Sequence, residues 1–238
     1  MSRRRLIGIA LAVYLCIMVA GGVAYYVVDH MSSSQQPAAS PASTATNTAA
    51  SVSDAEQQAL AQAKQQREAR EARIDELEQS MQVETVSGNT YYRFPLARAA
   101  DLSSGLYLEA FVRRGNQGVQ LLGEIVYHYT IDDPAQTAWI YGDHLTLSAK
   151  GQSVDIALQP ERQQRSMAQD AGALTERSQF TFDADGLAVA RAAAVGGGQL
   201  VYYKAGGKSR SQAISSEEIQ QLGQMIELYE LLLSQEEE

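Results

Sequence analysis

Imidazole takes up and releases a proton near neutral pH, so the three histidines of this chain are the first residues to weigh. His30 directly follows a long apolar run, which leaves His128 and His144 as the candidates for chemistry. Each lies in a stretch of alternating character, Glu124–Ile131 and 137–148, separated by Asp132-Asp133-Pro134-Ala135-Gln136, a breaker-rich turn sequence. Read as one hairpin, these stretches pair Tyr127 with Tyr141 and Tyr129 with Trp139. They also set His144 opposite Glu124 and His128 opposite Ile140. His144 beside Glu124 or Asp143 would form a proton-transfer pair; the plainer reading is a surface histidine with a carboxylate neighbour. In that register four strand positions separate the two histidines, roughly 14 Å, too far to share a metal whose ligands sit about 2 Å away.

Other spacings invite chemistry and then lose it. Gly196-Gly197-Gly198 follows a predicted helix and precedes a predicted strand, the reverse of a phosphate loop, so these glycines are expected to end a helix. Asp183-Ala184-Asp185-Gly186 opens like a calcium loop, but Val195 falls near the position that needs the distal carboxylate. Helix capping by Asp183 or Asp185 accounts for the same residues. Gly115 and Gly118, around Asn116-Gln117, read as a hairpin turn. The chain carries no serine-nucleophile elbow, His-Glu-x-x-His or Walker sequence, and its one cysteine, Cys16, lies inside the apolar run. No cofactor or metal is therefore expected. A carboxylate pair acting on a glycan leaves no sequence spacing, so that reading stays open.

One basic cluster stands out, Lys204-Ala205-Gly206-Gly207-Lys208-Ser209-Arg210, directly after Tyr202 and Tyr203. Tyr202, Tyr203, Lys204, Lys208 and Arg210 are accordingly the expected binding residues, for an anionic group or a partner surface. A solvated turn is the plainer alternative.

These residues must be held somewhere, and the N-terminus says where. Leu6–Val28 is 23 consecutive uncharged, mostly apolar residues directly preceded by Arg3, Arg4 and Arg5. A helix of that length reaches roughly 34 Å, enough to cross a hydrocarbon core of about 30 Å. No further lysine or arginine occurs until Lys64, so the asymmetry predicts a single-pass inner-membrane anchor with a cytoplasmic stub at 1–5 and the rest outside the cytoplasm. The run is too long for a signal peptide, and no small-residue cleavage site closes it. Bulky Leu15 before Cys16 argues against lipid attachment.

Residues 29–52, rich in Ser, Ala, Thr, Pro and Gln, read as a disordered tether. A helical spacer is expected over 53–86, opened by a Ser53–Glu56 capping box. Leu60, Ile74 and Met81 share one heptad position, and Ala63 and Leu77 another, but Arg67 and Arg70 interrupt the seam. Homo-oligomerisation through this helix therefore competes with a spacer whose last two turns dock on the next domain.

Aromatic residues mark that domain: none lies between Tyr26 and Tyr91, whereas nine Tyr, four Phe and Trp139 lie between Tyr91 and Tyr229. Residues 87–238 are expected to form an α+β domain, a mainly antiparallel sheet packed by a C-terminal amphipathic helix. Strands are predicted near 106–113, 119–131, 137–148, 153–158, 177–182 and 199–204. Helices are predicted near 184–195 and 216–234, and a further one after Pro160. The last long helix opens with a Ser215–Glu218 capping box and carries an Ile219, Leu222, Ile226, Tyr229, Leu233 stripe.

Without Arg3–Arg5 and Asp29, 16 basic and 27 acidic side chains remain, an excess of eleven negative charges. That balance disfavours nucleic acid and anionic headgroups. The expected function is a membrane-anchored, extracytoplasmic, non-enzymatic binding module of the bacterial envelope, whose partner is an envelope protein or glycan. A structural oligomeric stalk and an envelope glycan-acting enzyme are the alternatives.

Overall fold

A computed structural model describes residues 45–95, 103–130, 139–168 and 172–236, with side chains from Ala55 onward. The chain divides into two compact units, Met1–Gln58 and Ala59–Glu238. Among the described residues no helix is long and apolar enough to cross a membrane. The predicted anchor Leu6–Val28 lies outside the described residues, as does the predicted tether up to residue 44.

Helix α1 runs Ala45–Glu78. It begins eight residues before Ser53, so the proposed capping pair falls inside it. A charge-free, small-residue stretch cannot bury a core, but alanines without Gly or Pro still propagate a helix. The helix also stops earlier than expected, and Gln82–Val86 forms strand β1 rather than its last turns. Leu60 is 67% exposed while Ile74 and Leu77 are buried. Arg70 donates to the Ser234 carbonyl at 2.9 Å, and Arg73 grips both carboxylate oxygens of Glu227 at 2.7 Å. The last turns of α1 thus dock on the domain.

The domain is α+β, with the described strands all antiparallel in two sheets. One sheet has the order β1-β2-β3-β4-β8-β7: β1, then β2 (Asn89–Arg93), β3 (Gly105–Gly115), β4 (Gly118–Thr130), β8 (Ala173–Thr181) and β7 (Gln163–Ala168). The other has the order β10-β9-β5-β6: β10 (Ser209–Ala213), β9 (Gln199–Tyr203), β5 (His144–Ala149) and β6 (Gln152–Ala157). Helix α2 (Ala184–Gly196) packs on β5 and β6, and α3 (Ser216–Glu236) packs on β3, β4 and α2.

Local chemistry explains these boundaries. Asp183 accepts from the Gly186 N–H at 2.8 Å and starts α2. Gly197, at φ 76°, ends it with its N–H on the Ala193 carbonyl. Gly115 and Gly118 face each other across the β3–β4 turn. The capping box of α3 forms as read: Ser215 N–H donates to Glu218 Oε2 at 2.8 Å, and Glu218 N–H to Ser215 Oγ at 3.2 Å. The second oxygen of Glu218 accepts the Leu108 N–H of β3 at 2.7 Å, and Gln212 Oε1 accepts the Leu106 N–H at 3.0 Å.

The hairpin joining Glu124–Ile131 to 137–148 does not form. Its turn lies outside the described residues, and its strands belong to different sheets: β4 pairs with β3 and β8, β5 with β6 and β9. Strand β5 starts only at His144 because the segment before it serves another bond. Tyr141 stands at φ 56°, and the Ile140 and Tyr141 N–H groups donate to Glu176 Oε1 at 2.6 and 3.1 Å. The helix expected after Pro160 is a single 3-10 turn at Pro160–Arg162, followed directly by β7.

Alternation, which sets Ile125, Tyr127, Tyr129 and Ile131 on one face and Trp139, Tyr141, Asp143, Leu145 and Leu147 on another, holds in part, with Tyr141 50% exposed. Ile125 and Tyr127 of β4 and Leu145 and Leu147 of β5 are buried in one core with Leu106, Leu108, Leu200 and, from α3, Leu222, Met225, Leu228 and Leu232. Within this core Glu176 is only 2% exposed, and its Oε2 accepts the Tyr202 hydroxyl at 2.8 Å. This carboxylate joins β8 of one sheet to β9 of the other and to the 140–141 backbone.

Removing an acceptor from several buried donors costs far more than removing one donor. Glu176→Ala is expected to destabilise the domain by about 2–5 kcal/mol and Tyr202→Phe by about 1–2 kcal/mol. Urea titrations followed by the fluorescence of Trp139, the chain's one tryptophan, read both; a smaller loss for Glu176→Ala would refute this account.

Candidate functional site

The residues expected to bind a partner lie together on the β9–β10 hairpin, but most are occupied. Tyr202 is 1% exposed and points into the core, where burial and the Glu176 carboxylate push its hydroxyl above the ordinary tyrosine pKa. Alternation in β9 dictates this, since Leu200 and Tyr202 share the inward face. Tyr203 points outward, stacks on His144 with ring centroids 5.2 Å apart and donates to Asp155 at 3.0 Å. Lys204 Nζ lies 2.6 Å from Asp143 Oδ2. Lys208 and Arg210 are exposed in the turn and at the start of β10.

His144 neighbours Asp143, not Glu124: its Nδ1 lies 2.8 Å from Asp143 Oδ1. The same oxygen accepts the Ala205 N–H at 2.9 Å. Lys204, His144 and the Ala205 amide together hold the Asp143 carboxyl well below its usual range, which makes it a poor base. The cluster fastens the 204–208 turn to the start of β5. His128 sits on the polar face of β4, as the alternation indicated, but it is buried. Its Nδ1 is 2.9 Å from Thr175 Oγ1, and burial, helped by Arg177, lowers its pKa. The two histidines thus occupy different sheets. Among the described residues no group of three or more His, Cys, Asp or Glu side chains is placed to hold a metal ion.

The chemistry the sequence did not reveal lies on the face of the six-stranded sheet away from α3. Antiparallel register sets Glu109 opposite Glu124 and Glu124 opposite Gln179, a polar row across β3, β4 and β8. Arg177 Nη1 stands 2.8 Å from Glu124 Oε2 and 3.6 Å from Glu109 Oε2. Gln179 Nε2 donates to Glu124 Oε1 at 3.0 Å. Oε2 of Glu109 is buried without a hydrogen bond. Burial raises the Glu109 pKa to about 7, against the pull of Arg177 and with the help of the Glu124 carboxylate beside it.

Beside this row a groove of about 440 Å³ collects residues from β2, β3, β4, β7 and β8, all from the same face, so the sheet is curled around it. Tyr91, Arg113, Gln120, Gln164 and Gln179 contribute side chains, and Arg162 enters from the 3-10 turn. Arg113 donates to Gln117 at 2.9 Å and also to Gln120. Arg93 lies over the Phe111 ring, 3.7 Å from its centroid. A second cavity of about 280 Å³ shares Arg162, Gln179 and Thr181 and carries the groove on toward Asp155 of β6. One signal of this face was available in the sequence, the run of Arg and Gln at 113, 117, 120, 162, 164 and 179. Only the pairing of β4 with β8 gathers it.

No protein-family model matches the chain, and no curated protein matches it. Among solved structures, the crystal structure of invasion associated protein B from Bartonella henselae is similar over 66% of this chain and 99% of that one, at 12% identity and a TM-score of 0.34. A likeness of that size carries no argument about fold or function.

The carboxyl of Glu109 makes the domain's stability depend on pH in a fixed direction. Its folded pKa, about 7, exceeds the ordinary 4.5, so between those values the folded state holds the proton that the unfolded chain releases. Stability is therefore expected to fall as pH rises from 4.5 to 7. Glu109→Gln should flatten that slope and leave the variant the more stable protein at pH 8, by on the order of 2 kcal/mol. Denaturation midpoints at pH 4.5, 6 and 8 decide this; a wild-type protein without the slope contradicts it.

Proposed function

We propose that the chain is a non-enzymatic binding module of the bacterial envelope. In this reading Leu6–Val28 anchors it in the inner membrane as a single pass, and the domain stands outside the cytoplasm on its tether and spacer helix. Its partner, an envelope protein or glycan, seats on the curled polar face of the six-stranded sheet rather than on the basic hairpin. The observation that carries this is the groove itself. Arginine and glutamine side chains from four strands and the 3-10 turn converge on one concave surface, while Tyr202 and Lys204 of the hairpin are committed to internal bonds. Binding sites are concave surfaces with a few convergent polar groups.

Glu109 is the observation that favours the glycan-acting enzyme instead, because a carboxyl titrating near neutrality suits a general acid. Its geometry argues the other way. Glycosidic cleavage needs two carboxyl groups about 5 Å apart or more, with the sugar between them. Glu109 and Glu124 stand opposite each other on neighbouring strands, and one guanidinium nitrogen, Arg177 Nη1, lies within 3.6 Å of Glu109 and 2.8 Å of Glu124, where a sugar would have to sit. For the stalk reading, the seam of α1 offers little: Leu60 is exposed, and Ile74 and Leu77 are already buried against the chain's own domain.

Two measurements test the module. Alkaline phosphatase fused after Glu238 is expected to be active, because that enzyme matures only outside the cytoplasm; an inactive fusion of normal abundance removes the topology. A photo-crosslinking residue placed at Gln164, in the groove, should yield a discrete adduct in intact cells, whereas one at Ser209, in the hairpin, should not. Adducts from Ser209 alone would return the contact to the hairpin and refute the groove.

A further inference from the structure

We infer that the groove on the six-stranded sheet is a site for an acidic glycan, a saccharide chain bearing carboxylate groups. The inference rests on the binding-module reading above and adds the ligand's chemistry. It begins with what the groove offers. Pockets for apolar ligands are lined mostly by hydrophobic side chains, whereas here Gln120, Gln164 and Gln179 line the floor beside Tyr91. A primary amide presents two donors and an acceptor on one planar group. A sugar hydroxyl likewise donates and accepts, so a row of amides matches a row of hydroxyls.

The charged groups select among glycans. Arg162 and Arg113 both line the groove, against one carboxylate, Glu161, in a chain whose net charge is −9. Arg113 is held in place by Gln117 and Gln120. Arg162 is exposed, and its guanidinium has no hydrogen-bond or ion-pair partner among the described residues. A guanidinium presents a planar fork that grips a carboxylate through two parallel hydrogen bonds. Arg162 also stands where the two cavities meet; Asp155 and Asp183 line the second, so the acidic chain lies in the first, with the Arg162 fork at its end.

The same observations disfavour the other polyanions. Acidic peptides are commonly captured along a sheet edge, where main-chain groups are free; this groove lies across a sheet face and reaches the edge strand β7 only at Gln164. Nucleic acid calls for many phosphate contacts, and two arginines in an acidic domain supply few.

Binding is measured on the full chain in detergent micelles, with a fluorescently labelled tetramer of galacturonic acid as the probe. Competition with unlabelled maltotetraose, and with the peptide tetraglutamate, sorts the chemistry. Saturable binding of the tetrauronide is expected, with maltotetraose and tetraglutamate each competing at least tenfold more weakly. Arg162→Ala should weaken binding about tenfold, the loss of one charge-assisted contact, and Gln164→Ala severalfold. Lys64→Ala, which removes an exposed charge from α1, should leave binding unchanged. Tetraglutamate competing as well as the tetrauronide, or Arg162→Ala binding like wild type, would overturn the glycan assignment. An absence of tetrauronide binding by protein that still crosslinks from Gln164 would also overturn it, while leaving the module and its face standing.

Discussion

The architecture hangs on one ionisable group placed where none would be expected. Glu176 lies in the apolar interior, and nothing in hydrophobic packing alone would put it there, since a buried carboxylate is stable only when its oxygens are fully bonded. Its partners come from three places: the β9 hydroxyl of Tyr202, two backbone amides from the 139–143 segment, and Arg165 of β7, whose Nε lies 3.8 Å from Oε2. Apolar contacts hold two sheets together without fixing how they slide, because dispersion and burial are non-directional. The three hydrogen-bond donors around this carboxylate fix that relation. Gly142 is part of the same arrangement, since a Cβ there would run into the Tyr202 ring.

That arrangement separates what the sequence disclosed from what it hid. Local signals were legible: the capping residues Asp183 and Ser215, the terminating Gly197, the β3–β4 turn and the inward parity of Ile125, Tyr127, Leu145 and Leu147. Each depends on neighbours within a few residues. Strand pairing was not legible, because nothing near Tyr127 states that its neighbours are Leu106 and Glu176 rather than Tyr141. The stripe of α3 was read in part: Leu222 and Ile226 are buried as expected, but Met225, Leu228 and Leu232 are the deepest residues, and Ile219, Tyr229 and Leu233 are at the margin. The β1–β2 hairpin escaped notice because β1 is exposed along its whole length and carries no alternation. β7 and β10 are equally polar edge strands, QQRSMA and SRSQA.

The polar face was hidden for a related reason. Central strand β4 is buried on both sides through most of its length, so Leu122, Glu124, Val126 and His128 do not look like a solvent-facing set. Curling of the sheet brings residues from sequence positions as distant as 91 and 164 around one concavity. A histidine on that face becomes a buried neutral group bonded to Thr175, and a glutamate becomes an acid titrating near neutrality. Both differ from their ordinary behaviour because of where the fold puts them, not because of their neighbours in the chain.

One feature of β3 bears on how such a molecule behaves at high local density. β2 pairs with β3 only from Phe111 to Arg114, so among the described residues the first half of β3 has no partner strand on that side. There Gln212 and Glu218 accept the Leu106 and Leu108 amides, and an incoming chain finds those donors taken. Side-chain plugs of this kind suppress the strand-on-strand zipping that leads to fibrils. If the chain is anchored in a bilayer as proposed, it meets its copies far more often than a freely diffusing protein does. By closing this stretch with an acid that also starts a helix, the fold couples colloidal restraint to its own helix initiation: a copy that loses one loses the other.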